Sequence, residues 1–457
     1  MLETEQLAKE NFASAVALAK TFDFRSDQIR LNSHIGKCLA GAGLDYSAQL
    51  QFLSKILPRV KGKKEAEERR SALYGMADIY LAGNDPQSAF KIISLDRNRQ
   101  SFLRPHFDLK IAREFAKLGQ DPSKALKRVS SNIRNVTGED GLKDFIQAND
   151  YIGLAETQYD LGIDHKPALT KAHSLFEKLG SEKSVVEGKL ARLYAIFGDP
   201  EMVLDIVEKI QDQNPDQTIH RKTEVLRSAS RASLARGDVD TALEIADEES
   251  DLLMAEIAAG GAVQAVQNKN SESAGILIGV AMDHIDRPQE EALSDYEEGW
   301  QAEVYSLIDR AKILTGVNHV MYGGRPFLQS LDIASIVRDA LYRASTYNEI
   351  AKNQALVDID AKPAWKLALE SVAKELRRSE GNSWTEGVCL LTLEDFTNDQ
   401  VECGYYDTAL DTVEQMIKID EITSKKLTNR YYEVFKTEVL ADIGLAQVKK
   451  SRKLGAS

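Results

Sequence analysis

The sequence predicts an all-α protein, an α-solenoid of antiparallel helical hairpins, and three observations carry that prediction. First, a corner of glycine, aspartate and a small residue recurs along the chain: Gly43-Leu-Asp45-Tyr-Ser-Ala48, Gly83-Asn-Asp85-Pro86-Gln-Ser-Ala89, Gly119-Gln-Asp121-Pro122-Ser-Lys-Ala125, Gly162-Ile-Asp164-His-Lys-Pro-Ala168, Gly198-Asp199-Pro200-Glu-Met-Val203, Gly237-Asp238-Val-Asp-Thr-Ala242 and Gly404-Tyr-Tyr-Asp407-Thr-Ala409. Second, the first six of these glycines lie 40, 36, 43, 36 and 39 residues apart, a period that belongs to helical repeats. Third, the segments around the corners carry apolar residues at helical spacing, as in Ala168, Leu169, Ala172, Leu175, Phe176 and Leu179, and no stretch sustains the alternation of a strand.

Each corner has a physical reading. Glycine just past a helix takes the left-handed conformation at no steric cost and terminates the first helix. The aspartate accepts hydrogen bonds from the free N–H groups of the next helix, and proline after it fits the first helical turn. The alanine, in the first turn of the second helix, lets two antiparallel helices approach closely. Matching first helices precede the corners at Leu73 to Leu81, Ile111 to Leu118, Tyr151 to Leu161, Leu190 to Phe197 and Val225 to Leu234.

In chain order, residues 1–40 read as an opening helix pair that turns at Phe22-Asp-Phe-Arg-Ser, with Ser26 or Asp27 as cap. Pro58 to Lys64 is a basic linker before the helix holding Glu65, Glu67 and Glu68. Residues 1–250 form an N-terminal repeat array with a basic first third. Residues 251–400 hold irregular helical repeats, in which the corner survives only as echoes at Asn270-Ser-Glu-Ser-Ala274 and Asp360-Ala-Lys-Pro363-Ala364. Residues 401–457 form a C-terminal repeat, and the basic run Lys449-Lys450-Ser-Arg452-Lys453 ends its helix, where cations suit the dipole.

The unit at Ala191, Tyr194, Gly198, Val203, Val207 and Pro215 has the spacing of the small, tyrosine, glycine, small, apolar and closing-proline positions of the tetratricopeptide-repeat family, which most of the chain resembles in a degenerate form. Gly237 to Ala242 and Gly404 to Ala409 keep that family's five-residue step, whereas three other corners have six and the period exceeds the family's 34. The resemblance implies a superhelix of stacked hairpins with a concave binding face, and it brings no catalytic residues.

A chain of 457 residues exceeds one ordinary core, but a solenoid grows by adding units. The three cysteines, Cys38, Cys389 and Cys403, are too scattered to read as a disulfide framework or a metal site, which favours a reducing compartment. The first ten residues have no basic and apolar signal pattern, and the most apolar run, Ala274 to Met282, is too short to span a bilayer. A cytoplasmic protein without membrane attachment is the expectation.

The net charge of −13 conceals an asymmetry: residues 1–136 hold 23 Lys+Arg against 15 Asp+Glu, while residues 137–457 hold 35 against 56. Such polarity steers an acidic partner to the first third, where Arg97, Arg99, Arg104, Arg113, Lys124, Lys127 and Arg128 cluster with Phe102 and Phe107 interleaved. Positive charge with aromatic faces is also the composition of single-strand binding, against which the acidic remainder of the chain acts.

The most irregular piece, Leu314 to Ser330, contains Gly323-Gly324 and Arg325-Pro326, which preclude one continuous helix, and exposes His319, Tyr322, Arg325 and Phe327 as contact groups. Phosphate loops, dinucleotide fingerprints, nucleophile elbows and zincin motifs are absent. The nearest thing to a ligand cluster, Asp283-His284-Ile-Asp286, reads as a turn with capping carboxylates. The expectation is a non-enzymatic scaffold or adaptor, without cofactor or metal, that binds a peptide or helix of another protein in its groove. Self-association through the ends of the array accompanies it. A nucleic-acid-binding regulator using the basic third, or an enzyme centred near residues 314–330, are the alternatives.

Overall fold

The computed structural model describes residues 2–57, 63–96, 103–136, 140–179, 183–210, 215–247, 250–285, 295–315, 327–378, 383–423 and 426–456. These residues form 22 α-helices and no strand. The chain divides into two compact units, one of residues 1–182 with 404–457 and one of residues 183–403. This division follows packing, whereas the sections read from the sequence follow the clarity of the corner.

The first unit is a row of hairpins: α2 (Arg25–Gly41) with α3 (Ser47–Ser54), α4 (Lys63–Ala82) with α5 (Pro86–Ile93), α6 (Leu103–Lys117) with α7 (Ser123–Arg134), and α8 (Asp140–Asp160) with α9 (Lys166–Phe176). The first helices of successive hairpins also touch, α2 on α4, α4 on α6 and α6 on α8. One further pair comes from opposite ends of the sequence. α1 (Leu2–Ala19) packs on α22 (Lys426–Ala456), and α22 lies beside α2 as a preceding first helix would; α21 (Tyr406–Thr423) packs on α22.

This pairing differs from the opening helix pair expected of residues 1–40, because the apolar stripe of α1 finds its larger partner in α22. Ala8, Phe12, Ala15 and Ala19 share one core with Val434, Leu440, Ala441 and Val448 of α22 and with Leu31, Ile35 and Leu39 of α2. Burying each large side chain there is worth about 1.5–3 kcal/mol. Gly444 admits the Phe12 ring, since a Cβ at that position would stand 3.0–3.1 Å from three ring carbons. Polar links reinforce the join: Asn11 donates to Gln447 at 3.0 Å, and Arg452 donates to the Ala42 carbonyl at 2.5 Å. Arg452 therefore serves the C-terminus of α2 besides lying near that of its own helix. α2 begins at Arg25 with Phe24 at the N-cap position, so Ser26 and Asp27 lie inside its first turn and do not cap it.

The second unit continues the same construction with α10 (Lys183–Ile196) and α11 (Pro200–Glu208), α12 (Pro215–Ala235) and α13 (Val239–Asp247), α14 (Asp251–Gln267) and α15 (Ser271–Ile285), α16 (Asp295–Thr315) and α17 (Leu328–Ile336), α18 (Ala340–Ala355) and α19 (Lys362–Arg378), and then α20 (Ser383–Glu402). Phe327 is not the exposed contact group expected from the sequence: it precedes α17 with left-handed φ of 65°, its ring fully buried and its N–H donating to Asp309 at 2.7 Å.

The corners account for the hairpin bends. Six corner glycines have φ between 62° and 85°, and the chain after Gly43 closes on the helix through Leu44 N to Leu39 O and Gly43 N to Ala40 O, both 2.9 Å. At the second corner the left-handed residue is Asn84, φ 58°, one place later than the glycine. Gly83 itself faces the Tyr46 hydroxyl, which a Cβ there would meet at 2.9 Å. The aspartates cap: Asp85 accepts from Ser88 N at 3.0 Å, Asp199 from Met202 N at 3.2 Å and Asp238 from Thr241 N at 3.1 Å. Ala89, Ala125, Val203, Ala242 and Ala409 are wholly buried. Ala48 is exposed, and in its place Gln49 is buried.

Where the signature fades, the bend persists. Lys269 and Asp358 take the left-handed position, φ 61° and 59°, followed by helix-closing bonds from Asn270 N to Ala265 O and from Ile359 N to Gln354 O. An L side chain in that conformation costs on the order of 1 kcal/mol. Lys269→Gly and Asp358→Gly should each raise unfolding stability in urea by about 0.5–1 kcal/mol; a loss of stability in either variant would contradict the assigned bend.

Candidate functional site

Two adjoining clefts open on the first helices of the first unit. The larger, about 360 Å³, is lined by Arg30, Ser33, His34 and Lys37 of α2, by Ser71, Tyr74, Gly75 and Asp78 of α4, and by Glu438 of α22. The second, about 330 Å³, runs on between α4 and α6 and is lined by Asn84, Lys110, Arg113, Glu114 and Lys117 besides Lys37 and Asp78, which belong to both. Helical spacing explains the lining. Arg30, His34 and Lys37 step by four and three, and Lys110, Arg113 and Lys117 by three and four, so each set occupies one stripe. Small residues let α2 and α4 approach closely: a Cβ on Gly75 would stand 1.9 Å from Ser33 Oγ, and one on Gly36 would stand 2.5 Å from Ile79 Cδ1.

Ion pairs link neighbouring first helices across this face. Arg30 makes a two-pronged bond to Glu438, Nε to Oε1 and Nη2 to Oε2, each 2.7 Å. Lys110 stands 3.6 Å from Asp78, and Arg113 stands 3.5 Å from Glu156 and 3.4 Å from Asp160 of α8. Lys37 and Lys117 are exposed. The pKa of His106, next on α6, is lowered, first by burial and then by the nearby cations Lys110 and Arg113.

At the α2–α22 edge of this face, His34 Nε2 lies 3.1 Å from Asp442 Oδ2, and the Cys38 thiol donates to Asp442 Oδ1 at 3.4 Å. Burial opposes a charge on His34, yet the bonds to Asp442 and Cys38 carry its pKa well above the usual histidine value. Burial pushes the Cys38 thiol up. Among the described residues this is the one group of His, Cys, Asp or Glu ligand atoms that all lie within 4.8 Å of one another. Sequence scatter hid it, since Cys38 and Asp442 are 404 residues apart.

The basic residues singled out in the sequence go to different places. Arg97, Arg99, His319, Tyr322 and Arg325 lie outside the described residues. Arg113 lines the second cleft. Arg104 donates to the Asp96 carbonyl at 3.1 Å and so holds the end of the second hairpin. Arg128 joins α7 to α6 and α5: it bonds the wholly buried Asp108, Nε standing 2.9 Å from each carboxylate oxygen, and covers the Phe90 ring at 3.6 Å. The Asp108 carboxyl is raised by burial, with Arg128 acting against the rise. Lys124 and Lys127 are exposed on α7, a second helix.

The second unit also joins its first helices through charge. Buried Glu256 of α14 accepts from Arg227 Nε of α12 at 2.8 Å, from Arg231 and from the Trp300 indole of α16. Arg227 reaches on to Glu303 of α16 at 3.1 Å. Burial lifts the Glu303 carboxyl to about 7, against the pull of Arg227. Lys352 of α18 bonds Asp399 of α20 at 2.7 Å. Asp283 and His284 lie within the last turn of α15 and not in the expected capping turn, and Asp286 is outside the described residues; His284 bonds Asp251 of α14, Nδ1 to Oδ1 at 2.7 Å, so it joins two helices of one hairpin.

Sequence reasoning missed Arg30, His34, Lys37, Lys110 and Lys117, whose regular spacing was the available signal. It could not supply Glu438 and Asp442, because nothing local assigns α22 to the side of α2. No protein family and no curated protein matches the chain. A solved structure described as a "circular tandem repeat protein with novel repeat topology and enhanced subunit contact surfaces" aligns over 97% of this chain and 100% of its own at 12% identity and a TM-score of 0.24, too low a similarity to inform fold or function. No helix among the described residues is long and apolar enough to cross a membrane.

Asp150 of α8 carries a buried Oδ2 without a hydrogen-bond partner, and burial raises its carboxyl to about 7. The folded state therefore favours the protonated acid, so the contribution is complete below about pH 4, the ordinary value, and is lost as pH rises toward 7. Asp150→Asn, which cannot ionise, should gain on the order of 2 kcal/mol relative to the parent between pH 4 and pH 8; unfolding curves that stay parallel across that range would contradict the assignment.

Proposed function

We propose that the protein is a non-enzymatic interaction scaffold whose first-helix face, in the first unit, holds an acidic peptide or helix of a partner protein. The observation that carries this reading is the pair of adjoining clefts sharing Lys37 and Asp78, flanked by the basic stripes of α2 and α6. Their combined extent suits successive side chains of one bound segment, and Lys37 and Lys117 are exposed cations for an incoming carboxylate, which at Lys117 would compete with Glu114 of the same helix, 3.4 Å away.

The tetratricopeptide-like character belongs to this reading. Ala191, Tyr194, Val203 and Val207 are buried, Gly198 is left-handed, and Pro215 opens the following helix, which are the roles those positions hold in that repeat. A cytoplasmic setting accords with three free cysteines, two of them buried.

Panning a displayed random-peptide library against the full chain tests the face directly. Enriched peptides should be rich in Asp and Glu, and the double variant Lys37→Glu, Lys117→Glu should weaken them about tenfold or more. Peptides that bind the variant as well as the parent would overturn the assignment. Competition by single-stranded oligonucleotide with a steep salt dependence would instead mark a phosphate-binding surface.

A further inference from the structure

We propose that His34, Cys38 and Asp442 form a zinc-type metal site that fastens α22 to α2. The donor set is one imidazole, one thiolate and one carboxylate, the chemistry that zinc accepts. His34 and Cys38 are four residues apart on α2 and so face the same way, and Asp442 meets them from α22. Bonds of about 2.0–2.3 Å to zinc place tetrahedral ligand atoms roughly 3.3–3.6 Å from one another. Here the imidazole nitrogen and the thiol sulfur stand 3.1 and 3.4 Å from the two oxygens of Asp442, and all the ligand atoms fit within 4.8 Å. Small side-chain rotations bring such a group onto one ion.

Charge supports the choice. A divalent cation with a thiolate, a carboxylate and a neutral imidazole sums to zero, which suits the buried Cys38 and the half-buried His34 and Asp442. Binding releases the thiol proton, and the proton of His34 when the ring is charged, to solvent. Arg30, a turn before His34, is matched by its two-pronged bond to Glu438, so it does not stand over the site as an uncompensated cation. His34 also lines the larger cleft, and a water can complete the fourth position from that side. This site is independent of the proposed peptide binding, since it requires only α2 and α22.

Cobalt(II) serves as the spectroscopic probe for zinc. Full-length protein, reduced and stripped with chelator, is titrated with cobalt alone and then with zinc as competitor. One equivalent should bind with a thiolate-to-cobalt absorption band in the near ultraviolet, and zinc should displace it. Cys38→Ser should abolish the band, Asp442→Asn and His34→Ala should weaken cobalt binding at least about tenfold, and Cys389→Ser with Cys403→Ser should leave it intact. Zinc should raise the melting temperature of the parent and not of Cys38→Ser. A parent protein that binds no equivalent of cobalt, or binds it without the thiolate band, overturns the proposal whatever the variants do. A band that follows Cys389 or Cys403 overturns it equally.

Discussion

The packing of α1 on α22 is the constraint on which the first unit depends, because it gives a first helix from one end of the sequence a second helix from the other. A terminal hairpin in a row has a neighbour on one side only, and its other apolar stripe must be covered or stay wet. Here α22 lies against α2 in the place of a preceding first helix, and α1 covers α22 as the second helix of the same pair. Phe12 seated on Gly444, together with Leu31, Ile35 and Val448, makes that arrangement one continuous core. The apolar stripes of α1 and α22 thus cover each other.

The functional face inherits its composition from this join. Glu438 and Asp442 reach the clefts and the His34–Cys38 edge only because α22 lies beside α2. Once there, Glu438 neutralises Arg30, and the same alternation of cation and carboxylate recurs from Asp78 to Lys110 and from Arg113 to Glu156 and Asp160. Partly buried pairs of this kind add little net stability, since desolvation offsets attraction. Each arginine or lysine here meets its carboxylate across two neighbouring first helices. The second unit repeats the device more deeply, with Glu256 shared by Arg227, Arg231 and Trp300.

The hairpin architecture was legible because its determinants are local. Glycine, aspartate and a small residue specify a bend within seven positions, and the aspartate caps and buried alanines follow from that chemistry. Lys269 and Asp358 were harder to read, since the same bend is built there with residues that carry strain. The site was only partly legible. Arg113 lines a cleft, whereas Arg104 and Arg128 are engaged in joints between hairpins, which a count of positive charge cannot distinguish from a free surface. The α1–α22 pair and the Asp442 cluster were invisible for a simpler reason: partners separated by some 400 residues leave no mark in a local pattern.

Hydrogen exchange followed by mass spectrometry on Phe12→Ala tests the join most directly. If α1 and α22 form one hairpin against α2, removing the ring should speed amide exchange in residues 434–448 and in residues 29–42 as well as in α1 itself, while α12 and α14 keep their protection. Faster exchange confined to residues 2–19, with α22 unchanged, would contradict the account.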